Sequence, residues 1–125
     1  MCELLFVYGT LKPIARQRGG RPAHVWGRMW ENGSYPAIRL TEPGDGYLIA
    51  GLVFGVTDDD LAEFDRREGV AHGWYRRVKE GTTEGEVVRV YEGARCLDGA
   101  AALGARWSVV EATGGNVAVW STEAA

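Results

Sequence analysis

Glu68 is the residue whose type and position most suggest chemistry in this chain. A helix is predicted to begin at residues 57–60, where a threonine or an aspartate can cap it, and to stop at Gly69. Residues three, four and seven apart share one face of a helix, and Leu61 and Phe64 make that face apolar. The same spacing predicts a third apolar residue at position 68, and the sequence has a glutamate there.

A carboxyl group in that place is expected to hold its proton more tightly than an exposed one. The apolar face removes water from the carboxylate and the carbonyl-rich end of the helix repels it, so both effects raise its pKa. A pKa near neutrality suits a general acid and base. The alternative is a glutamate that turns to solvent or pairs with Arg66, Arg67, Arg76 or Arg77. Helix geometry alone leaves both interpretations open.

The second feature is a turn made of Tyr8, Gly9, Thr10 and Leu11, named here the Gly9 turn. The unbroken apolar run of residues 4–8 predicts a strand that is buried on both faces and ends at the glycine. Amides that leave a sheet without partners can point at one spot and bind an anion or a carbonyl oxygen. The alternative is a plain strand exit, which is preferred when this stretch is taken alone.

Other reactive residues have less support. Asp65 lies three residues before Glu68, and a structural role as an acceptor for the following loop is expected. His72, four residues past Glu68, is interpreted as a loop histidine rather than a catalytic base, and His24 has no evident partner. The two cysteines form neither a disulfide framework nor a metal-ligand spacing. No nucleophilic-serine or phosphate-loop pattern occurs.

Most other elements are predicted to be short strands. Glycines inside the longest apolar run, residues 47–56, indicate the strong bending of a small closed barrel. Loop structure is expected over residues 14–22 and a short helix over residues 97–103. Strands are predicted over residues 24–30, 47–56, 74–79, 87–91, 107–111 and 117–120, and Pro36 favours an extended backbone at Tyr35.

Composition and charge restrict the partners and the compartment. The 125 residues carry a net charge of −3, which argues against a general nucleic-acid binder. Arg16, Arg18 and Arg21 surround a glycine pair and resemble a single-strand RNA-binding patch, but a solvated loop is the preferred interpretation. With no membrane-length apolar run and no signal segment recognised, a single domain over residues 1–125 in the reducing cytoplasm is expected.

Four motifs, taken in order, resemble one known family. They are Tyr8-Gly9-Thr10-Leu11, Gly33-Ser34-Tyr35-Pro36-Ala37, the helix of residues 61–69 and Tyr75-Arg76-Arg77-Val78. In this order and spacing they are similar to the γ-glutamylcyclotransferase-like family, which includes AIG2-like and γ-glutamylamine cyclotransferase proteins. The resemblance covers about residues 4–91, whereas the chain from Cys96 onwards and the loop of residues 16–21 depart from the family pattern.

The resemblance implies an α+β fold, a small mixed β-barrel flanked by short helices. It implies a cofactor-independent enzyme that cyclises a γ-glutamyl amine or amino acid by intramolecular aminolysis and releases 5-oxoproline. The amides of the Gly9 turn would hold the γ-glutamyl moiety, and Glu68 would be the general acid and base. The family's tyrosine and arginine after the helix match Tyr75 and Arg77. Tyr35 and Tyr75 are expected to line the pocket, with core packing as the alternative for both.

Two other functions remain open on the sequence. One is the removal or transfer of a γ-glutamyl group during tailoring of a small metabolite, where the arginine loop would contact a large acceptor. The other is a binding module that kept the pocket and lost turnover, although the presence of Glu68 argues against it. In each case the expected partner is a small molecule, with no nucleic acid and no membrane.

Overall fold

The computed structural model describes residues 3–32, 35–97, 101–102, 107–112 and 115–120. Within these residues the elements, in chain order, are β1 (Glu3–Val7), α1 (Lys12–Gln17), β2 (Arg21–Asn32), β3 (Tyr35–Leu40), β4 (Tyr47–Val56), α2 (Asp58–Arg67), β5 (Tyr75–Gly81), β6 (Val87–Gly93), β7 (Ala101–Ala102), β8 (Trp107–Ala112) and β9 (Gly115–Trp120).

The strands form one mixed sheet with β1 near its centre. The main path of paired strands is β3-β2-β4-β1-β6-β5. Strand β1 pairs antiparallel with β4 and parallel with β6. Strand β9 pairs parallel with β4 and antiparallel with β8, and the short β7 pairs with β2. The strand predictions over residues 24–30, 47–56, 74–79, 87–91, 107–111 and 117–120 are confirmed with small differences at their ends, and the backbone expected to be extended at Tyr35 begins β3.

The sheet curls because its distant strands are joined by hydrogen bonds. The buried carboxylate of Glu92 on β6 accepts from the backbone N–H of Leu40 on β3 and from Nε of Arg76, each at 2.8 Å. In the turn between β5 and β6, the backbone N–H of Thr83 donates to the carbonyl of His24 on β2 at 2.9 Å. The result is an α+β half-barrel with two short helices, which confirms the expected fold class.

Strand β1 is buried on both faces, as its unbroken apolar run predicts. Successive side chains of a strand point to opposite faces. Phe6 and Tyr8 belong to the cluster inside the curled sheet, whereas Leu5 and Val7 belong to a second cluster that includes the apolar face of α2. The two clusters hold the end of β1, and with it the start of the Gly9 turn, in a fixed place.

The prediction of a loop over residues 14–22 is wrong. Helix α1 occupies Lys12–Gln17, and β2 already begins at Arg21. Proline is tolerated in the first turn of a helix, where its missing N–H has no acceptor anyway, so Pro13 starts α1 rather than preventing it. Tertiary burial of Ala15 then stabilises a helix too short to be stable alone.

The predicted helix over residues 97–103 is also corrected where the structure describes it. A single 3₁₀ turn covers Arg95–Leu97, and Ala101–Ala102 is a strand that pairs with Trp30 and Glu31 of β2. Alanine favours helices, but pairing with a neighbouring edge overrides that weak preference over two residues. Residues 98–100 and 103 lie outside the described residues.

We expect Gly51 to be required for the packing of β4 on β1. A Cβ at Gly51 would lie 2.4 Å from the carbonyl oxygen of Val7 and 2.6 Å from the ring of Phe6. Since backbone and a buried ring cannot both yield, Gly51→Ala should lower the free energy of unfolding by about 2–3 kcal/mol. The control is Gly55→Ala on the same strand, where a Cβ meets nothing within 4 Å and the change should stay below about 1 kcal/mol. Urea denaturation followed by tryptophan fluorescence measures both, and equal effects would contradict the close approach.

Candidate functional site

A cavity opens where β1, β3, β5, β6 and the end of α2 meet. It encloses about 320 Å³, including space open to solvent. The lining residues are Phe6, Val7, Tyr8, Gly9, Thr10, Leu11, Pro36, Glu68, Tyr75 and Tyr91. The cavity therefore brings together the two features that the sequence singled out, Glu68 and the Gly9 turn.

Glu68 reaches the cavity because it ends α2. Leu61 and Phe64 are buried as the helix pattern predicts, and Glu68 follows them as the C-terminal cap residue. Gly69 then adopts a left-handed conformation with φ of 66°, which turns the chain away from the helix. Glu68 is half-buried, and within the described residues no hydrogen bond or ion pair to its carboxyl group is present.

Burial gives this carboxyl group the pKa of an acid and base that works near neutrality. Loss of hydration raises the pKa of Glu68 from its ordinary value of 4.5 to about 7, and the positive charge of Arg67 opposes part of that rise. Desolvation is thus the dominant cause, as the apolar face of the helix predicts. The pKa values of the phenols of Tyr8, Tyr75 and Tyr91 are all raised, chiefly by burial, so these groups stay protonated.

The Gly9 turn lines the cavity and carries backbone donors without an acceptor among the described residues. The N–H of Lys12 donates to the carbonyl of Gly9 at 3.0 Å and closes the turn. For the amides of Gly9, Thr10 and Leu11, no acceptor lies within the part of the chain that the structure describes. The turn also needs its glycine, since a Cβ at Gly9 would lie 2.3 Å from Cγ of Pro36. Three adjacent amides are therefore available to an anion or a carbonyl oxygen.

Each tyrosine of the cavity has its hydroxyl proton held by the protein. Tyr8 donates to the backbone carbonyl of Tyr91 at 2.7 Å, and Tyr75 donates to the backbone carbonyl of Pro36 at 2.5 Å. Tyr91 donates to Oδ1 of Asp65 at 2.7 Å, and Nε of Arg77 lies 3.3 Å from the same oxygen. These bonds fix the rings around Glu68.

Asp65 and Arg77 thus lie behind the cavity rather than in its lining. The sequence led us to expect a structural role for Asp65 as an acceptor for the following loop, and the structure gives it Tyr91 and Arg77 as donors instead. Arg77 matched the family's arginine after the helix, and it acts here on Asp65. Tyr75, its companion in the same motif, does line the cavity.

Tyr35 is the predicted pocket residue that the structure does not bring to the cavity. Its side chain is 62% exposed, and the neighbouring Pro36 lines the cavity instead. Alternate residues of β3 face opposite sides, so one of the two must turn away. Sequence reasoning also missed Phe6, Val7 and Tyr91 as lining residues. The available signal was Tyr91 itself, a side chain with a polar tip at the end of a strand rich in valine.

The arginines of the suggested RNA patch are partly engaged in ion pairs. Arg18 pairs with Asp60 at 3.0 Å and Arg21 pairs with Glu86 at 2.8 Å. Among the described residues, no group of three or more His, Cys, Asp or Glu side chains could hold a metal ion. In the same part of the chain, no helix has the length and apolar character needed to cross a membrane.

Comparison with known proteins identifies the family. The family model "Gamma-glutamyl cyclotransferase, AIG2-like" matches residues 5–108, and the chain therefore belongs to that family. No curated protein matches the chain.

Solved structures support the same fold. A uropathogenic E. coli-specific protein is 18% identical with a TM-score of 0.65, covering 82% of this chain and 88% of its own. A structure described as a gamma-glutamyl cyclotransferase is 23% identical with a TM-score of 0.54, and the match covers 75% of this chain and 68% of that chain. An AIG2-like protein from Mus musculus is 20% identical with a TM-score of 0.59, and the match covers 74% of this chain and 78% of that chain.

The raised pKa of Glu68 predicts that ionising this residue destabilises the fold. The folded protein keeps the proton up to about pH 7, whereas an unfolded glutamate loses it near pH 4.5, so stability falls over this interval and the full loss is present above pH 7. The difference is equivalent to at most about 3 kcal/mol, and partial exposure reduces it to about 1–2 kcal/mol. Glu68→Gln should therefore raise the free energy of unfolding by this amount at pH 8 and have little effect at pH 4.

Urea denaturation at both pH values measures this difference without any substrate. Glu42→Gln, which changes an exposed loop carboxylate, is the matched control and should be neutral at both. If the difference in free energy of unfolding between Glu68→Gln and wild type were the same at pH 4 and pH 8, the raised pKa would be contradicted.

Proposed function

We propose that this protein is a γ-glutamyl cyclotransferase that converts a γ-glutamyl amine or γ-glutamyl amino acid into 5-oxoproline and a free amine. The α-nitrogen of the substrate attacks its own γ-carbonyl carbon, the new carbon–nitrogen bond closes the ring, and the bond to the leaving nitrogen breaks. One observation carries the proposal: Glu68 lines the same cavity as the Gly9 turn, whose amides have no acceptor among the described residues.

The nucleophile and the electrophile belong to one molecule, so the protein's first task is to fold the substrate. Positioning alone can supply several kcal/mol of the barrier when the reacting atoms are held close together. The tyrosine rings that line the cavity are held by hydrogen bonds, and fixed walls of this kind suit a glutamyl group bent into a ring-closing shape. The open side leaves space for the leaving group.

The second task is proton transfer, and Glu68 is the lining residue suited to it. At neutral pH a substantial fraction of a carboxyl group with a pKa of about 7 is ionised and can take a proton from the α-ammonium. The same group can then return that proton to the leaving nitrogen. Because no hydrogen bond within the described residues holds the carboxyl group, it is free to serve both positions.

The third task is to stabilise the charge that develops on the γ-carbonyl oxygen or to hold the substrate's carboxylate. The amides of Gly9, Thr10 and Leu11 are preorganised donors, since the Gly9–Pro36 contact and the Gly9–Lys12 hydrogen bond fix the turn. Fixed donors of this kind are commonly worth about 2–4 kcal/mol each to a transition state.

Glu68→Gln should abolish most of the activity while keeping the fold. Loss of a general acid and base typically costs about 10²–10⁴-fold, so release of 5-oxoproline from an accepted γ-glutamyl compound should fall at least about a hundredfold. The matched control is Glu63→Gln on the exposed side of α2, which should retain wild-type activity. Chromatographic measurement of 5-oxoproline over a panel of γ-glutamyl amines and dipeptides gives the result.

The same panel separates the proposal from its alternatives. Transfer or hydrolysis of the γ-glutamyl group would yield a new γ-glutamyl compound or glutamate rather than 5-oxoproline. A binding module would give no product from any compound while thermal shift still detected a ligand. Activity of Glu68→Gln within a few-fold of wild type would remove Glu68 from the mechanism.

The charge of Arg67 acts on Glu68, so removing it should shift the pH–rate profile in a defined direction. Since the ionised form of Glu68 accepts the first proton, kcat/KM should rise with pH through an apparent pKa of about 7. The charge of Arg67 lowers that pKa, so Arg67→Gln should move the rising limb to higher pH, more so at low ionic strength. Arg66→Gln is the control, because Arg66 pairs with Glu63 and should leave the limb in place. A limb that moves to lower pH in Arg67→Gln would contradict the assignment.

A further inference from the structure

The hydrogen bonds behind the cavity determine which of its groups can donate to a ligand. A backbone carbonyl has no proton, so Tyr8 must be the donor to Tyr91 and Tyr75 must be the donor to Pro36. A phenol has a single proton, and in both cases the protein holds it. Towards a ligand, the hydroxyl oxygens of Tyr8 and Tyr75 can therefore only accept.

The same reasoning applies to Tyr91 through a charged pair. Nε of Arg77 lies 3.3 Å from Oδ1 of Asp65, and an aspartate paired with a guanidinium is a carboxylate without a proton. Tyr91, whose oxygen lies 2.7 Å from the same Oδ1, must be the donor. The two charged side chains thus fix the direction of the hydroxyl of a buried tyrosine that lines the cavity.

These constraints divide the polar groups of the cavity into two sets. The amides of the Gly9 turn can only donate, whereas the three phenol oxygens and the ionised Glu68 can only accept. No lysine or arginine is among the described lining residues, so the donors that they offer a ligand carboxylate are the backbone amides and the hydroxyl of Thr10. An α-ammonium group can only donate, and an α-carboxylate can only accept. A zwitterionic amino-acid head therefore fits in one orientation.

We propose that Tyr91, with its proton held by Asp65, accepts a hydrogen bond from the α-ammonium group of a γ-glutamyl ligand, and that Asp65 is a positioning residue for this contact. The proposal rests on the proposed function and adds to it the residues that orient the α-ammonium group of the substrate. Of the three phenols, Tyr91 is the one whose proton is held by a carboxylate, which makes its oxygen the strongest of the three acceptors, and Glu68 lines the same cavity. One N–H of the ammonium would then face Tyr91, and another would face Glu68.

The test compares two probes that differ only in the α-ammonium group. They are γ-glutamyl methylamide and glutaric acid monomethylamide, and their dissociation constants are measured by titration calorimetry on the full-length Glu68→Gln protein, which prevents turnover. In this background the first probe should bind more tightly than the second. Adding Tyr91→Phe should weaken the first probe about tenfold, the usual effect of losing a hydrogen bond to a charged group, and leave the second within about twofold.

A double-mutant cycle then tests whether Asp65 acts through Tyr91. Without Asp65 the hydroxyl of Tyr91 can turn its proton into the cavity, so Asp65→Ala should also weaken the first probe selectively. When Tyr91 is already phenylalanine, Asp65→Ala should add less than about twofold. The matched controls are Glu63→Ala for a carboxylate on the exposed side of α2 and Tyr47→Phe for a hydroxyl outside the cavity lining; neither should alter the difference between the probes.

Each result decides the matter. Selective weakening by Tyr91→Phe together with a non-additive Asp65→Ala supports the proposal. Equal weakening of both probes, which lost packing would cause, or an unchanged preference for the first probe, overturns the contact while leaving the proposed function intact. Additive effects overturn the positioning role of Asp65. Failure of both probes to bind the Glu68→Gln protein overturns the proposed function and this inference with it.

Discussion

The burial of β1 between two apolar clusters is the constraint on which the rest of the structure depends. Leu5 and Val7 pack with the face of α2 that Leu61 and Phe64 provide, and Phe6 and Tyr8 pack inside the curled sheet. A strand held from both sides cannot slide, because a shift of one residue would exchange its two faces. The Gly9 turn is the direct continuation of this strand, so its amides inherit a fixed position. The helix that ends in Glu68 is fixed by the same cluster, which is why the two halves of the site keep their spacing.

The cavity combines tyrosine hydroxyls that are hydrogen-bonded to the protein with lining groups that have no partner among the described residues. The tyrosine protons are held by two carbonyls and by Asp65, and in the described residues no buried side-chain nitrogen or oxygen lacks a partner. Among the described residues, Glu68 and the amides of Gly9, Thr10 and Leu11 have no partner and are left for a ligand, as is the acceptor side of the tyrosine oxygens. A half-buried carboxylate without a partner weakens the fold when it ionises, and such a group is expected where function takes precedence over stability. This contrast supports an acid–base site more than a pocket that only binds.

The arginine-rich segment after the Gly9 turn lies within the residues that the family model matches, and the structure gives one of its members a packing role. Arg18 forms an ion pair with Asp60 in the first turn of α2, and its guanidinium lies over the rings of Phe54 and Phe64 at about 6 Å. Planar guanidinium groups pack well on aromatic faces while keeping an ion pair. This residue therefore joins α1 to α2 on the side of the core that supports Glu68. The fold tolerates such local solutions, since structures only 18–23% identical keep it.

The sequence by itself determined the central elements and half of the site, and the tertiary structure decided the rest. Periodicity located α2 and the glutamate that interrupts its apolar face, and the unbroken run of β1 located the Gly9 turn, because both signals are local. Helix α1 was missed because its stability comes from the tertiary burial of Ala15 rather than from the helix propensity of its short sequence. Tyr35 was assigned to the pocket in place of Pro36, because a strand pattern does not say which face meets a cavity. Tyr91 and Asp65 came together only through the parallel pairing of β1 with β6, a contact between residues far apart in the chain that no local spacing encodes.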